Sequence, residues 1–126
     1  MRVAGLKTGE YPVLTPSQIA EALEQQIESL ENLVTEVRQA GEASARAEAA
    51  YKVEFSKARL TIRATALEKM TVDQVGDEAT SQCEELLLQH LIAENFLVSV
   101  RESCRLAQTK TDALRSLLAT FRNAAG

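Results

Sequence analysis

Tryptophan is absent, aromatic residues make up only 4% of the chain, and there are just five Gly, two Pro, two Cys and one His. Each scarcity excludes something. So little Gly, Pro and aromatic content, beside abundant Ala, Leu, Glu and Arg, marks long helices or a coiled coil. Two cysteines cannot frame a disulfide-stapled fold. Cys83 and Cys104 lie 21 residues apart on one predicted helix, roughly 31 Å by helical rise, too far to bond to each other. A bridge between copies is open to them, but two reduced core residues are the expectation, as is usual for free Cys. No apolar run approaches the length that spans a bilayer, so no transmembrane helix is expected. Residues Met1 to Ala20 contain no signal-peptide apolar core, so the chain is expected to stay in the cell that makes it or in a particle assembled there. A net charge of −4 lacks the Lys and Arg excess of a dedicated nucleic-acid binder.

What is present is a charge pattern in four blocks. Residues 17–48 are acidic (Glu21, Glu24, Glu28, Glu31, Glu36, Glu42 and Glu48 against Arg38 and Arg46). Residues 52–69 are basic (Lys52, Lys57, Arg59, Arg63 and Lys69 against Glu54 and Glu68). Residues 77–97 hold Asp77, Glu78, Glu84, Glu85 and Glu94 with no Lys or Arg. Residues 98–126 are basic again (Arg101, Arg105, Lys110, Arg115 and Arg122 against Glu102 and Asp112). Folding the chain back near Thr71 to Gly76 sets every block against its opposite. That is the requirement of a long antiparallel helical hairpin, in which residues near Val34 approach residues near Leu114.

Local signals agree. Residues 1–14 form an arm in which Gly5, Gly9 and Pro12 break any helix while Leu6, Tyr11, Val13 and Leu14 offer apolar grip. Thr15, Pro16 and Gln18 make a capping box with Pro at the first helical position, so helix 1 is predicted over about 16–70. Leu23, Ile27, Leu30, Val34 and Val37, then Tyr51, Phe55, Ala58 and Ile62, follow spacings of three and four. Between them Ala40 to Ala50 is a waist of small residues, where a continuous helix is favoured over a kink or a break. The turn is predicted over about 71–77: Thr71 and Gln74 repeat the capping chemistry, Gly76 reverses the chain, and Asp77 and Glu78 sit at the next helix start. Helix 2, predicted over about 78–123, carries a seam at Ala79, Cys83, Leu86, His90, Ala93, Leu97, Val100, Cys104, Ala107, Thr111, Leu114, Leu118 and Phe121. Its alternation of four and three has no slip, which implies supercoiling against a partner helix.

Leu87, Leu88, Leu91, Ile92 and Phe96 lie off this seam. A lone hairpin has no third layer to cover them. They are the candidate oligomer or partner interface, and self-association into a helical bundle, or docking on a partner protein, is expected through them.

Catalytic chemistry has little to stand on. His90 falls on the seam, where a core histidine satisfied by Glu94 or a group on helix 1 is the expected reading. Cys83 and His90 are about 10 Å apart along the axis, too far to share a zinc ion. Glu84 with Glu85, and Asp77 with Glu78, read as dipole and pairing charges rather than an acid–base pair. There is no Gly-rich phosphate loop, Walker lysine or nucleophile elbow. No catalytic, cofactor or metal residue is assigned. Arg101, Arg105, Arg115 and Arg122 form a basic stripe that could face phosphates, as could Lys52, Lys57, Arg59 and Arg63. Pairing within the hairpin is the simpler reading, and no aromatic residues interleave to stack on single strands, so direct nucleic-acid binding is disfavoured.

Tyr51-Lys-Val-Glu-Phe-Ser-Lys-Ala58, Thr71-Val-Asp-Gln-Val75, Cys83-Glu-Glu85 and Thr111-Asp-Ala-Leu-Arg-Ser-Leu-Leu118 resemble small helical proteins of tailed bacteriophages over roughly residues 20–122. That pattern is an aromatic-rich segment, a T-V-x-x turn and a long helix closing on an L-R-S-L-like sequence. The resemblance implies no catalytic residue. It implies a phage protein, in the cytoplasm of a host bacterium or in the phage particle. The expectation is therefore an all-α, non-enzymatic coiled-coil hairpin acting as an oligomeric interaction or assembly module. The alternatives are an accessory factor in phage DNA recombination or replication and an inhibitor of a host defence or regulatory protein.

Overall fold

The computed structural model describes residues 14–125, and all of its regular structure among them is helical. The element order is α1 (Pro16–Thr65), α2 (Val72–Gln82) and α3 (Glu84–Ala125). The arm expected over residues 1–14 lies outside the described residues except for Leu14, which is exposed. The described chain falls into two units: one joins α1 up to Asn32 with α3 from Arg105, and the other runs Leu33–Cys104.

The α1 start and both capping boxes form as the sequence predicts, but the box at Thr71 opens a helix, α2, where a turn was expected, and the helix expected over about 78–123 is two, α2 and α3. The Gln18 backbone N–H donates to Thr15 Oγ1 at 3.2 Å and the Thr15 N–H donates to Gln18 Oε1 at 2.9 Å. The Gln74 N–H donates to Thr71 Oγ1 at 3.1 Å and the Thr71 N–H to Gln74 Oε1 at 2.9 Å. Each box satisfies two backbone donors that the first helical turn would otherwise leave open.

The first helix ends earlier than expected, at Thr65 rather than about residue 70, and the chain reverses over residues 66–71 rather than 71–77. Gly76 does not turn the chain; it sits inside α2, as do Asp77 and Glu78. The reason lies in packing. Starting α2 at Val72 places Val75 and Ala79 on the face that buries against Ile62, with Phe55, Ala58 and Met70 around them. A Cβ added at Gly76 meets nothing within 4 Å, and one at Gly41 only reaches ordinary contact with Leu97 Cδ1 at 4.0 Å. Gly76→Ala should therefore stabilise the chain by about 0.5–1 kcal/mol, since Ala loses less backbone entropy in a helix. Urea melts followed by circular dichroism measure this, and destabilisation would restore Gly76 to a turn.

In the Leu33–Cys104 unit, contacts run in opposite senses along α1 and α3. Gly41 lies beside Leu97, and farther along α1 Tyr51 stacks on His90. The α1 waist is continuous helix through Ala40 to Ala50. Its less exposed positions include Leu33, Val37, Ala40, Ser44, Glu48, Tyr51, Phe55, Ala58 and Ile62. The spacing of four occurs twice in a row around Ser44, an inserted step of the kind that locally unwinds a supercoil. Small residues there let Leu97 approach. Val34 is exposed and Leu33 takes its place toward the interior. Cys83 ends α2 with φ −109° and ψ 20°; its N–H donates to the carbonyls of Ala79 and Thr80, and its own carbonyl accepts from Leu87. Cys83 is buried and Cys104 half-buried, and both are free thiols.

In the other unit, Ala22, Gln25 and Gln26 share a hollow with Lys110, Ala113 and Leu114. Leu114 therefore lies against Ala22 to Gln26, about ten residues before the Val34 alignment expected from the sequence. Ile19 and Thr111 are fully buried here, and Thr111 Oγ1 donates to the Ala107 carbonyl at 2.8 Å, which satisfies its hydroxyl within the helix.

Candidate interaction surface

The α3 seam positions His90, Ala93, Leu97, Val100 and Cys104 are all shielded from solvent in their unit, as are Ala107, Thr111, Leu114 and Leu118 in theirs; Phe121 is exposed. An inward seam this regular fixes what points outward. Leu88 is two residues from both Leu86 and His90, about 200° around the helix from each at 100° per residue. Leu88 is 51% and Ile92 59% exposed, and Leu91, Phe96 and Val98 are exposed with them. Leu87, the remaining residue of the expected interface, is half-buried beside Leu86. The outward surface is thus formed by Leu88, Leu91 and Ile92, with Glu84 and Glu85 at its start; Val98 lies on one flank and Phe96 on the other, where it lines a hollow with Glu36, Gln39, Ala40 and Ala43 of α1.

A second outward apolar set was less visible in the sequence. Val53 and Leu60 sit two helical turns apart on α1, and Leu67 projects fully from the 66–71 connection. Leu60 is two residues from both Ala58 and Ile62, so it too faces away from the interior. Spacing could have found Val53 and Leu60, but Glu54, Lys57 and Arg59 between them disguise the pair as an ordinary solvated face.

The four basic candidates, Arg101, Arg105, Arg115 and Arg122, are all exposed. Arg101 belongs to the Leu33–Cys104 unit and the other three to the second unit. Arg115 lies 3.9 Å from Asp112, one turn away on the same helix. Lys52–Glu48 at 2.7 Å and Lys57–Glu54 at 3.4 Å are likewise pairs along one helix. Lys52, through its hydrogen bond and its charge, holds the Glu48 carboxyl below the usual carboxylate range, with His90 adding a smaller pull the same way. Exposed pairs of this kind are screened by solvent and contribute little to stability. Between the basic block of α1 and the acidic start of the α2–α3 segment the expected charge pairing does not form: Arg59, Arg63 and Lys69, like Asp77, Glu78, Glu84 and Glu85, take part in no ion pair among the described residues.

His90 is a core residue, but not a satisfied one. Its ring stacks on Tyr51 with centroids 6.1 Å apart and planes at 11°. Its Nε2 is 3.7 Å from Glu94 Oε2, beyond a hydrogen bond, and its Nδ1 is buried without a hydrogen-bond partner. No group of three or more His, Cys, Asp or Glu that could hold a metal ion occurs among the described residues. No described helix is long and apolar enough to cross a membrane. Compared with family models, curated proteins and solved structures, the chain matches none of them.

Proposed function

We propose that this chain is a non-enzymatic antiparallel helical hairpin of coiled-coil type that works by self-association, with the outward face of α3 as its contact surface. The observation that carries the reading is the exposure of Leu88, Leu91 and Ile92 together on the outward face of α3, with Phe96 and Val98 exposed on its two flanks. Scattered exposed apolar residues are ordinary, but a contiguous group of this kind marks an interaction site. Burying a Leu or Ile side chain in full is worth about 1.5–3 kcal/mol, so a few of them suffice to drive association. The non-enzymatic part rests on the sequence: one histidine, placed on the interior seam, and no nucleophile or phosphate-binding motif. The resemblance to helical tailed-phage proteins is consistent with an assembly module acting in the host cytoplasm or in the phage particle.

Sedimentation at micromolar concentration tests the reading. The wild-type chain should sediment as an oligomer. Leu88→Glu with Ile92→Glu should weaken association by about 100-fold or more, because burying unpaired carboxylates in an apolar contact costs several kcal/mol. Helix content should persist, since Glu is a good helix former. A wild-type monomer would refute self-association.

A further inference from the structure

Resting on that reading, we infer that the α3 face of one copy docks on the outward face of α1 in a second copy, so that copies join through two different surfaces rather than one surface meeting itself. Charge chooses between the two. On α3, residues 84–97 carry Glu84, Glu85 and Glu94 and no Lys or Arg. Two copies of that face brought together would set like charge against like, which costs binding energy. The α1 face offers the opposite sign: Lys52, Lys57, Arg59 and Arg63 stand against Glu54 alone over residues 52–63.

Shape and exposure agree. Ser56, Arg59, Leu60 and Arg63 line a shallow hollow on the outward side of α1. Leu60 is 70% exposed within it, and Val53 lies two turns before. Arg59 lies over the Phe55 ring at 5.8 Å, which holds its guanidinium near the hollow, and neither Arg59 nor Arg63 is in an ion pair among the described residues. On α3, Glu84 and Glu85 precede Leu88 by one turn; Glu85 accepts a long hydrogen bond from Gln89 at 3.4 Å and neither carboxylate has a cation partner among the described residues. Leucine against leucine and unpaired carboxylate against unpaired guanidinium is the match two copies can make. One copy cannot make it alone, because Leu60 and Leu88 both point away from the seam between their helices. A contact between unlike surfaces leaves one of each free at the ends. It therefore closes into a ring or grows as a filament, depending on the rotation per step.

Mixing tests this. Leu60→Glu with Arg63→Glu spoils the α1 face and keeps the α3 face; Leu88→Glu with Ile92→Glu does the reverse. Each full-length variant alone should sediment as a monomer, and an equimolar mixture should form a one-to-one dimer that does not grow with concentration. If the α1-face variant instead assembles like wild type while the α3-face variant is monomeric, the α3 faces meet each other: the inference falls and self-association stands. A monomeric wild-type chain defeats both. A mixture that stays monomeric, with both variants retaining wild-type helix content, also defeats the inference. Should either variant unfold, Arg59→Glu with Arg63→Glu and, separately, Glu84→Arg with Glu85→Arg ask the same question. Each should weaken assembly by at least about tenfold alone, and mixing the two should restore it, because the reversed charges again meet their opposites. Failure of that rescue overturns the proposal.

Discussion

Ile62→Ala should destabilise the chain by about 2–4 kcal/mol, the usual cost of truncating a large aliphatic side chain in a packed core. Ile62 is buried with Val75 and Ala79, and Phe55, Ala58 and Met70 pack around them. This cluster joins the end of α1 to α2 across the 66–71 connection. The structure has little to compensate such a loss, because Ile19, Val75 and Thr111 are the largest fully buried side chains among the described residues. Val34→Ala is the matched control. Val34 is exposed, so its truncation should stay within about 0.5 kcal/mol. Urea denaturation followed by circular dichroism gives both numbers. Measuring them in the Leu88→Glu, Ile92→Glu background keeps association from adding to apparent stability. A loss below about 1 kcal/mol at Ile62, or a Val34 loss equal to it, would mean that the interior is not where Ile62 and Leu33 place it.

The start of α1, the capping box at Thr71 and the α3 seam are legible in the sequence because each rests on local rules. Thr15 with Gln18, and Thr71 with Gln74, are capping boxes that need no tertiary information. The alternation from His90 to Leu118 needs only the helical period. The end of α1 is different. Nothing from Thr61 to Met70 is a Gly or Pro, so propensity alone carries the helix onward. The helix stops because Val75 and Ala79 can then bury against Ile62, a choice made by packing over propensity. Gly76 compounds the error, since a glycine serves a turn well and is still tolerated in a helix. The charge blocks could not correct it. Blocks some twenty to thirty residues long keep opposite signs facing each other even when the alignment moves by ten, so they speak to antiparallel packing and leave Leu114 unassigned between Val34 and Ala22. The candidate surface divides the same way. Leu88, Leu91, Ile92 and Phe96 stand out as large apolar residues off a strict seam. Val53 and Leu60 are hidden among charges, and Leu67 is a helix residue until the connection is seen to begin at Ala66.

His90→Leu should stabilise the chain by about 1 kcal/mol, and up to about 2. A buried polar atom without a partner costs about 1–3 kcal/mol, and leucine removes that atom while keeping the seam filled. Lost in exchange is the stacking of the ring on Tyr51, worth about 0.5–1.5 kcal/mol beyond its buried area, which is why the gain is smaller than the penalty removed. Leu86 and Leu97 already occupy equivalent seam positions, so the substituent suits the spacing. His90→Gln separates polarity from shape: it puts another polar group in the same place and should give no gain. Denaturant melts of the three proteins decide the matter. If His90→Leu loses stability, Nδ1 has a partner, supplied by water or by a second copy, and His90 belongs to a polar contact rather than to the core. Sedimentation completes the test. Leu88 and Ile92 face away from the seam that holds His90, so His90→Leu should assemble as the wild-type chain does. A change in assembly would tie the seam to the outer face and show that association works through the interior of the hairpin as well as its surface.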